Sequence, residues 1–116
     1  MTTTDCLFCK IVAGEIPATV VRETPATLAF RDINPQAPTH VIVIPRAHHA
    51  DPAALANADP ALAAELLLAA TAVAEQEDIV EPGYRLVLNA GPGAGQSVFH
   101  VHYHVLGGRP LTWPPG

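Results

Sequence analysis

The stretch His100-Val101-His102-Tyr103-His104-Val105 concentrates more chemical potential than any other part of the chain. Imidazole exchanges its proton near neutral pH, so it serves as nucleophile, acid, base or metal ligand. Alternate side chains of a strand share a face, which predicts His100, His102 and His104 in a row at intervals of roughly 6.8 Å. A buried neutral imidazole needs partners for both nitrogens. Three on one face therefore point to a catalytic cluster ahead of a metal site or a solvated polar face. Directly upstream, Asn89-Ala90-Gly91-Pro92-Gly93-Ala94-Gly95-Gln96-Ser97 is rich in glycine. Glycines let backbone N–H groups approach an anion, so a loop delivering Ser97 beside the histidines is a candidate phosphate site. His40 follows a proline-stiffened loop and opens an apolar run, from which it can face the same place.

A second constellation is Cys6-Leu7-Phe8-Cys9. Two thiols at a helix start are favoured as thiolates by the helix dipole. Tetrahedral zinc needs two further ligands, and the residues leave these open among His48, His49 and His100. Two buried free thiols is the alternative. A redox pair fits less well, because no thioredoxin-like βαβ pattern surrounds the cysteines.

These residues must be held by a chain of 116 residues and net charge −5, with 49% apolar and only 15% charged side chains. That length fits one domain spanning residues 1–116. The acidic balance argues against a binder of polymeric nucleic acid but not against a single nucleotide. The chain opens without a basic leader, and no apolar run reaches the ~18 residues that span a membrane. No membrane partner and a cytoplasmic location are the expectation. A charged share below the usual level of roughly 25% leaves apolar area for a subunit interface.

The element pattern predicts an α+β fold. Asp5 is placed to cap a short helix from Cys6 to Ala13, ended by Gly14. Strands are expected over 19–23, 26–32 and 41–44, the last a β-branched run stopped by Pro45. Asp59-Pro60 reads as a helix start, and Leu62, Leu66, Ala69, Ala70 and Val73 give that helix one buried stripe to about Glu77. Strands follow over 84–88 and 98–106. The architecture is an antiparallel sheet of about five strands on one long helix plus a short N-terminal helix. Trp113, in a tail of prolines and glycines, needs a surface to pack on, its own or a neighbouring subunit's.

The segment Gly95 to Leu106 resembles the signature of the histidine triad superfamily, His-φ-His-φ-His-φ-φ, where φ is apolar. Ile33 to His40 and the tail from Gly107-Gly108-Arg109 to Trp113-Pro114-Pro115-Gly116 are similar to its nucleotide-binding protein branch. The resemblance implies a homodimer that hydrolyses purine nucleoside 5′-phosphoramidates through a nucleotidyl-histidine intermediate. By motif position it implies His102 as nucleophile, with its other nitrogen held by the His100 carbonyl. His104 and Ser97 would contact the phosphate and help protonate the leaving amine, and His40 would orient them. Asn89 and the loop from Gly95 through Gln96 and Ser97 to Val98 would hold the phosphate. Asp32 and Ile33 would take the ribose, Phe8, Ile11, Ile16 and Phe30 the base, and Trp113 a neighbouring site. Relatives with this cysteine pair bind zinc, which implies Cys6, Cys9, His48 and His100 as structural ligands, with His49 an exposed neighbour. The alternative to an enzyme is a nucleotide-binding regulatory or scaffold module with incidental turnover.

Overall fold

The computed structural model describes residues 5–116. A five-stranded antiparallel sheet is built from β1 (Val20–Glu23), β2 (Thr27–Arg31), β3 (Thr39–Pro45), β4 (Arg85–Leu88) and β5 (Tyr103–Gly107), in the order β1-β2-β3-β5-β4. β3 is buried along its whole length, as its β-branched composition requires of a central strand. Pairing of Leu28 with Ile44, Phe30 with Ile42 and Ile42 with His104 sets these side chains on one face. Ala29, Val41, Val43 and Val105 take the opposite face.

Three α-helices lie among the described residues: α1 (Leu7–Val12), α2 (Pro52–Ala58) and α3 (Pro60–Gln76). α3 covers the Ala29–Val43 face with Leu62, Leu66, Ala69, Ala70, Val73 and Ala74. Its cap is the expected Asp59, whose Oδ1 accepts from Leu62 N at 3.0 Å. An Arg31–Glu77 ion pair ties the end of α3 to β2. α1 lies on the other face, where Cys6 and Phe8 pack with Leu28, Phe30, Ile42 and Ile44. No helix among the described residues is long and apolar enough to cross a membrane.

Four details differ from expectation. α2 has no counterpart in the sequence reading, although Asp51-Pro52 repeats the Asp59-Pro60 signal and Asp51 caps it through Ala54 N. α1 is capped by Cys6, whose Sγ accepts from Cys9 N at 3.3 Å, rather than by Asp5. Pro45 is the last residue of β3 rather than the residue that stops it. The final strand starts at Tyr103, not Val98. Backbone groups before it are taken elsewhere: Val101 N donates to His49 O, and the His100 carbonyl accepts from the His102 ring. The three histidines therefore do not form a regular row along one strand.

Candidate active site

The break before Tyr103 sends neighbouring imidazoles into two different surroundings. The His100 ring is fully buried and donates Nε2–H to the Pro45 carbonyl at 2.8 Å. A neutral ring carries one proton, so His100 Nδ1 is left as a lone pair. It lies 3.4 Å from Cys6 Sγ, 3.5 Å from Cys9 Sγ and 3.2 Å from His48 Nδ1, while Cys9 Sγ lies 3.3 Å from His48 Nδ1. Zinc with bonds of about 2.3 Å to S and about 2.05 Å to N has tetrahedral edges of about 3.5 Å (S–N) and about 3.3 Å (N–N). The four side chains thus already have the dimensions of a tetrahedral donor set, and they fit that ion. Burial, then a hydrogen bond and charge repulsion with the adjacent Cys6, push the Cys9 thiol up to about 11, and a bound divalent cation would reverse that shift. His49 is half-buried rather than exposed, and its carbonyl accepts from Val101 N.

His102 makes the opposite choice of nitrogen. Its Nδ1–H donates to the His100 carbonyl at 2.8 Å, which leaves the Nε2 lone pair free. Phe8 stands edge-on to this ring, centroids 5.0 Å apart, and to Phe30 at 5.5 Å. The His104 ring lies 5.0 Å from that of His102, and its Nδ1 lies 2.8 Å from His40 Nε2. Burial lowers the proton affinity of His102, His104 and His40, that of His104 to about 4. All three are neutral at pH 7, and His102 presents a nucleophilic nitrogen without an added base.

A cavity of about 360 Å³ opens beside these rings. Its walls include Phe8, Ile11, Ile16, Phe30, Asp32, Ile33, Ser97, Val98, His102 and His104, all expected there from the sequence. Leu7, Pro17, Ala18, Arg31 and Ile42 also line it and were not anticipated. Ile42 was legible from period 2, because it stands two residues from His40 on the same strand. The apolar end suits an aromatic base. Asp32, whose Oδ1 accepts from Asn34 N at 2.8 Å, marks the polar end.

The glycine-rich loop is a 3₁₀ turn at Pro92–Ala94, with Gly95 in the left-handed region (φ 95°). Gly95 N and Gln96 N donate to the Pro92 and Gly91 carbonyls. These amides close the loop, and Ser97 and Val98 are the members that reach the cavity. The Gln96 side chain is buried: it accepts from Gly91 N at 2.9 Å and donates to Ala50 O at 2.7 Å. Gln96 braces the loop from behind, with Asn89 beside Gly95. Trp113 is 81% exposed and lines no part of this cavity.

Residues 13–111 match the family model described as HIT domain. The chain is 50% identical over 113 residues to a 14 kDa zinc-binding protein of Zea mays, covering 95% of this chain and 87% of that protein. It is 45% identical to the adenylylsulfatase HINT1 of Arabidopsis thaliana over 95% of this chain and 76% of that one. The crystal structure of a HIT family hydrolase from Legionella pneumophila superposes with a TM-score of 0.93 at 54% identity, covering 97% of this chain and all of the other. With a match over most of its length, close relatives and the same arrangement of strands, the chain belongs to the HIT domain family.

Proposed function

We propose that the protein hydrolyses nucleoside 5′-phosphoramidates, purine nucleotides preferred, through a nucleotidyl-His102 intermediate. One observation carries the reading: the His102 Nδ1–H bond to the His100 carbonyl leaves Nε2 unprotonated beside the cavity. In the first step Nε2 attacks the α-phosphorus and the P–N bond breaks. The His104 Nε2–H, with Ser97 alongside, donates a hydrogen bond to the departing amine, which takes its proton from solvent water. Water then attacks the phosphorus, the P–Nε2 bond breaks, the water's proton passes to solvent, and neutral His102 is restored. Phe8, Ile11, Ile16 and Phe30 would sandwich the base, and Asp32 would accept from the ribose hydroxyls. The main-chain N–H groups of Ser97 and Val98 would hold the phosphate, and His40 orients His104.

Cys6, Cys9, His48 and His100 would hold zinc, closed by four protein ligands and so structural rather than catalytic. The name of the maize relative supports this assignment. A homodimer is part of the same reading, with Trp113 of the exposed tail reaching a neighbouring site.

The test is incubation with adenosine 5′-phosphoramidate, AMP release being measured together with intact mass after rapid quench. An added adenylyl mass that disappears in His102→Asn is expected. Adenylyl sulfate serves as the comparison substrate, because one relative is named an adenylylsulfatase. Binding of AMP with no turnover of either compound overturns the enzyme reading in favour of a nucleotide-binding regulatory or scaffold module.

A further inference from the structure

We propose that Arg109 is a positioning residue for His104, acting through the main chain of Gln36 and the ring of His40. The proposal rests on His104 being the hydrogen-bond donor to the leaving amine in the reading above. The Gln36 main-chain N–H can only donate, and it meets His40 Nδ1 at 3.0 Å. The single proton of neutral His40 therefore sits on Nε2. That N–H faces His104 Nδ1 at 2.8 Å, which makes His104 Nδ1 an acceptor and puts the His104 proton on its own Nε2. Each link is forced by the one before it.

Reversal of the chain reverses the chemistry. With Gln36 N–H withdrawn, His40 is able to carry its proton on Nδ1 and accept at Nε2 from His104. The His104 Nε2 then offers a lone pair where the leaving amine requires a hydrogen-bond donor. Gln36 itself is exposed and lies in a loop between Pro35 and Pro38, outside any helix or strand. Arg109 holds it: Nε and Nη2 both donate to the Gln36 carbonyl, at 3.1 and 3.0 Å.

The same geometry accounts for the glycines that precede the arginine. A Cβ on Gly108, which has φ +88°, would stand 2.8 Å from Pro38 Cβ. A Cβ on Gly107 would stand 2.7 Å from Ile79 Cδ1. The chain passes this tightly under the loop to bring Arg109 against Gln36. Asp32 Oδ2, 3.4 Å from His40 Nε2, favours the same tautomer. Loss of Arg109 therefore weakens the arrangement without abolishing it.

The test is two-bond proton–nitrogen NMR on histidine-labelled protein at pH 7.5, which identifies the protonated nitrogen of each ring. In the wild type His40 and His104 are expected protonated at Nε2 and His102 at Nδ1. In Arg109→Met the nitrogen shifts of His40 and His104 move toward averaged values while those of His102 stay. The kcat falls about tenfold with KM within about twofold, as for an outer partner of a reacting group, and Arg109→Lys restores part of it. Unchanged His40 and His104 shifts in Arg109→Met overturn the proposal. Should that variant not fold, Arg109→Gln is measured in its place, and the same two outcomes decide. A wild type that hydrolyses no phosphoramidate defeats the functional reading, yet the nitrogen shifts still report on the relay by themselves.

Discussion

His100 and His102 are two residues apart and do opposite things with the same side chain. His100 gives Nε2–H to the Pro45 carbonyl and turns Nδ1 toward two cysteines and His48. His102 gives Nδ1–H to the His100 carbonyl and keeps Nε2 for the cavity. The proposed ligand and the proposed nucleophile are thus separated by which backbone carbonyl each ring finds, not by residue type. His100 belongs to both regions, its side chain to the sulfur cluster and its carbonyl to the His102 ring. Phe8 is a second bridge, since it lies between the two cysteines in sequence and stands 5.9 Å from the His100 ring and 5.0 Å from that of His102.

Removal of one member from each region should break the comparison cleanly if the two are separate devices. His102→Asn is expected to lower kcat on adenosine 5′-phosphoramidate by about 10⁴-fold or more, as loss of a nucleophile does. Its metal content and thermal midpoint should match the wild type. Metal loss in this variant, by elemental analysis, would mean that the two regions are one unit. Cys9→Ala should do the reverse. Bound metal is lost and the thermal midpoint drops by about 10 °C, while kcat of the protein that remains folded falls no more than about tenfold. A collapse of kcat well below the unfolding temperature would make the cluster catalytic.

Acid sharpens the contrast further. Burial holds His102, His104 and His40 below the ordinary imidazole range. Acid loss of hydrolysis should therefore have its midpoint below the value of about 6.5 at which an ordinary histidine is half-protonated. A kinetic midpoint at that ordinary value would show a solvated, unburied nucleophile. Stability follows the same sign. Unfolded histidines take up protons near pH 6.5 while the folded rings resist until lower pH, to about 4 for His104. The stabilisation is complete above pH 6.5 and is lost as pH falls toward 4. Urea midpoints at pH 7.5 and 5 read it directly.

Much of this was legible in the sequence because local signals agreed. The β-branched run around Val41-Ile42-Val43-Ile44, the Asp59-Pro60 cap and the Leu62–Val73 stripe each specify one conformation, and the structure adopts it. The cavity-lining residues expected from resemblance come together as well. What failed was the reading of Val98 to His102 as strand. Its apolar-polar alternation satisfies period 2, but the backbone there hydrogen-bonds to imidazole and to the His49 carbonyl, contacts that no local pattern encodes. The Gln36 amide and the Pro45 carbonyl were invisible for the same reason. They act through main-chain atoms, whose partners depend on tertiary approach and not on side-chain type.

The smallest expected effect separates global stability from both regions. α3 packs on the sheet face away from α1, and Asp59 caps its first turn through Leu62 N. Asp59→Ala should cost about 1 kcal/mol, a fall of roughly 4 °C in thermal midpoint for a chain of this size. Metal content, kcat and the His102 nitrogen shifts should not move, because the cap touches neither imidazole cluster. If a loss this small on the far face did alter metal binding or the nucleophile's tautomer, the carbonyls of Pro45 and His100 would be responding to strain in the whole sheet. The choice between ligand and nucleophile would then belong to the fold at large and not to two local hydrogen bonds.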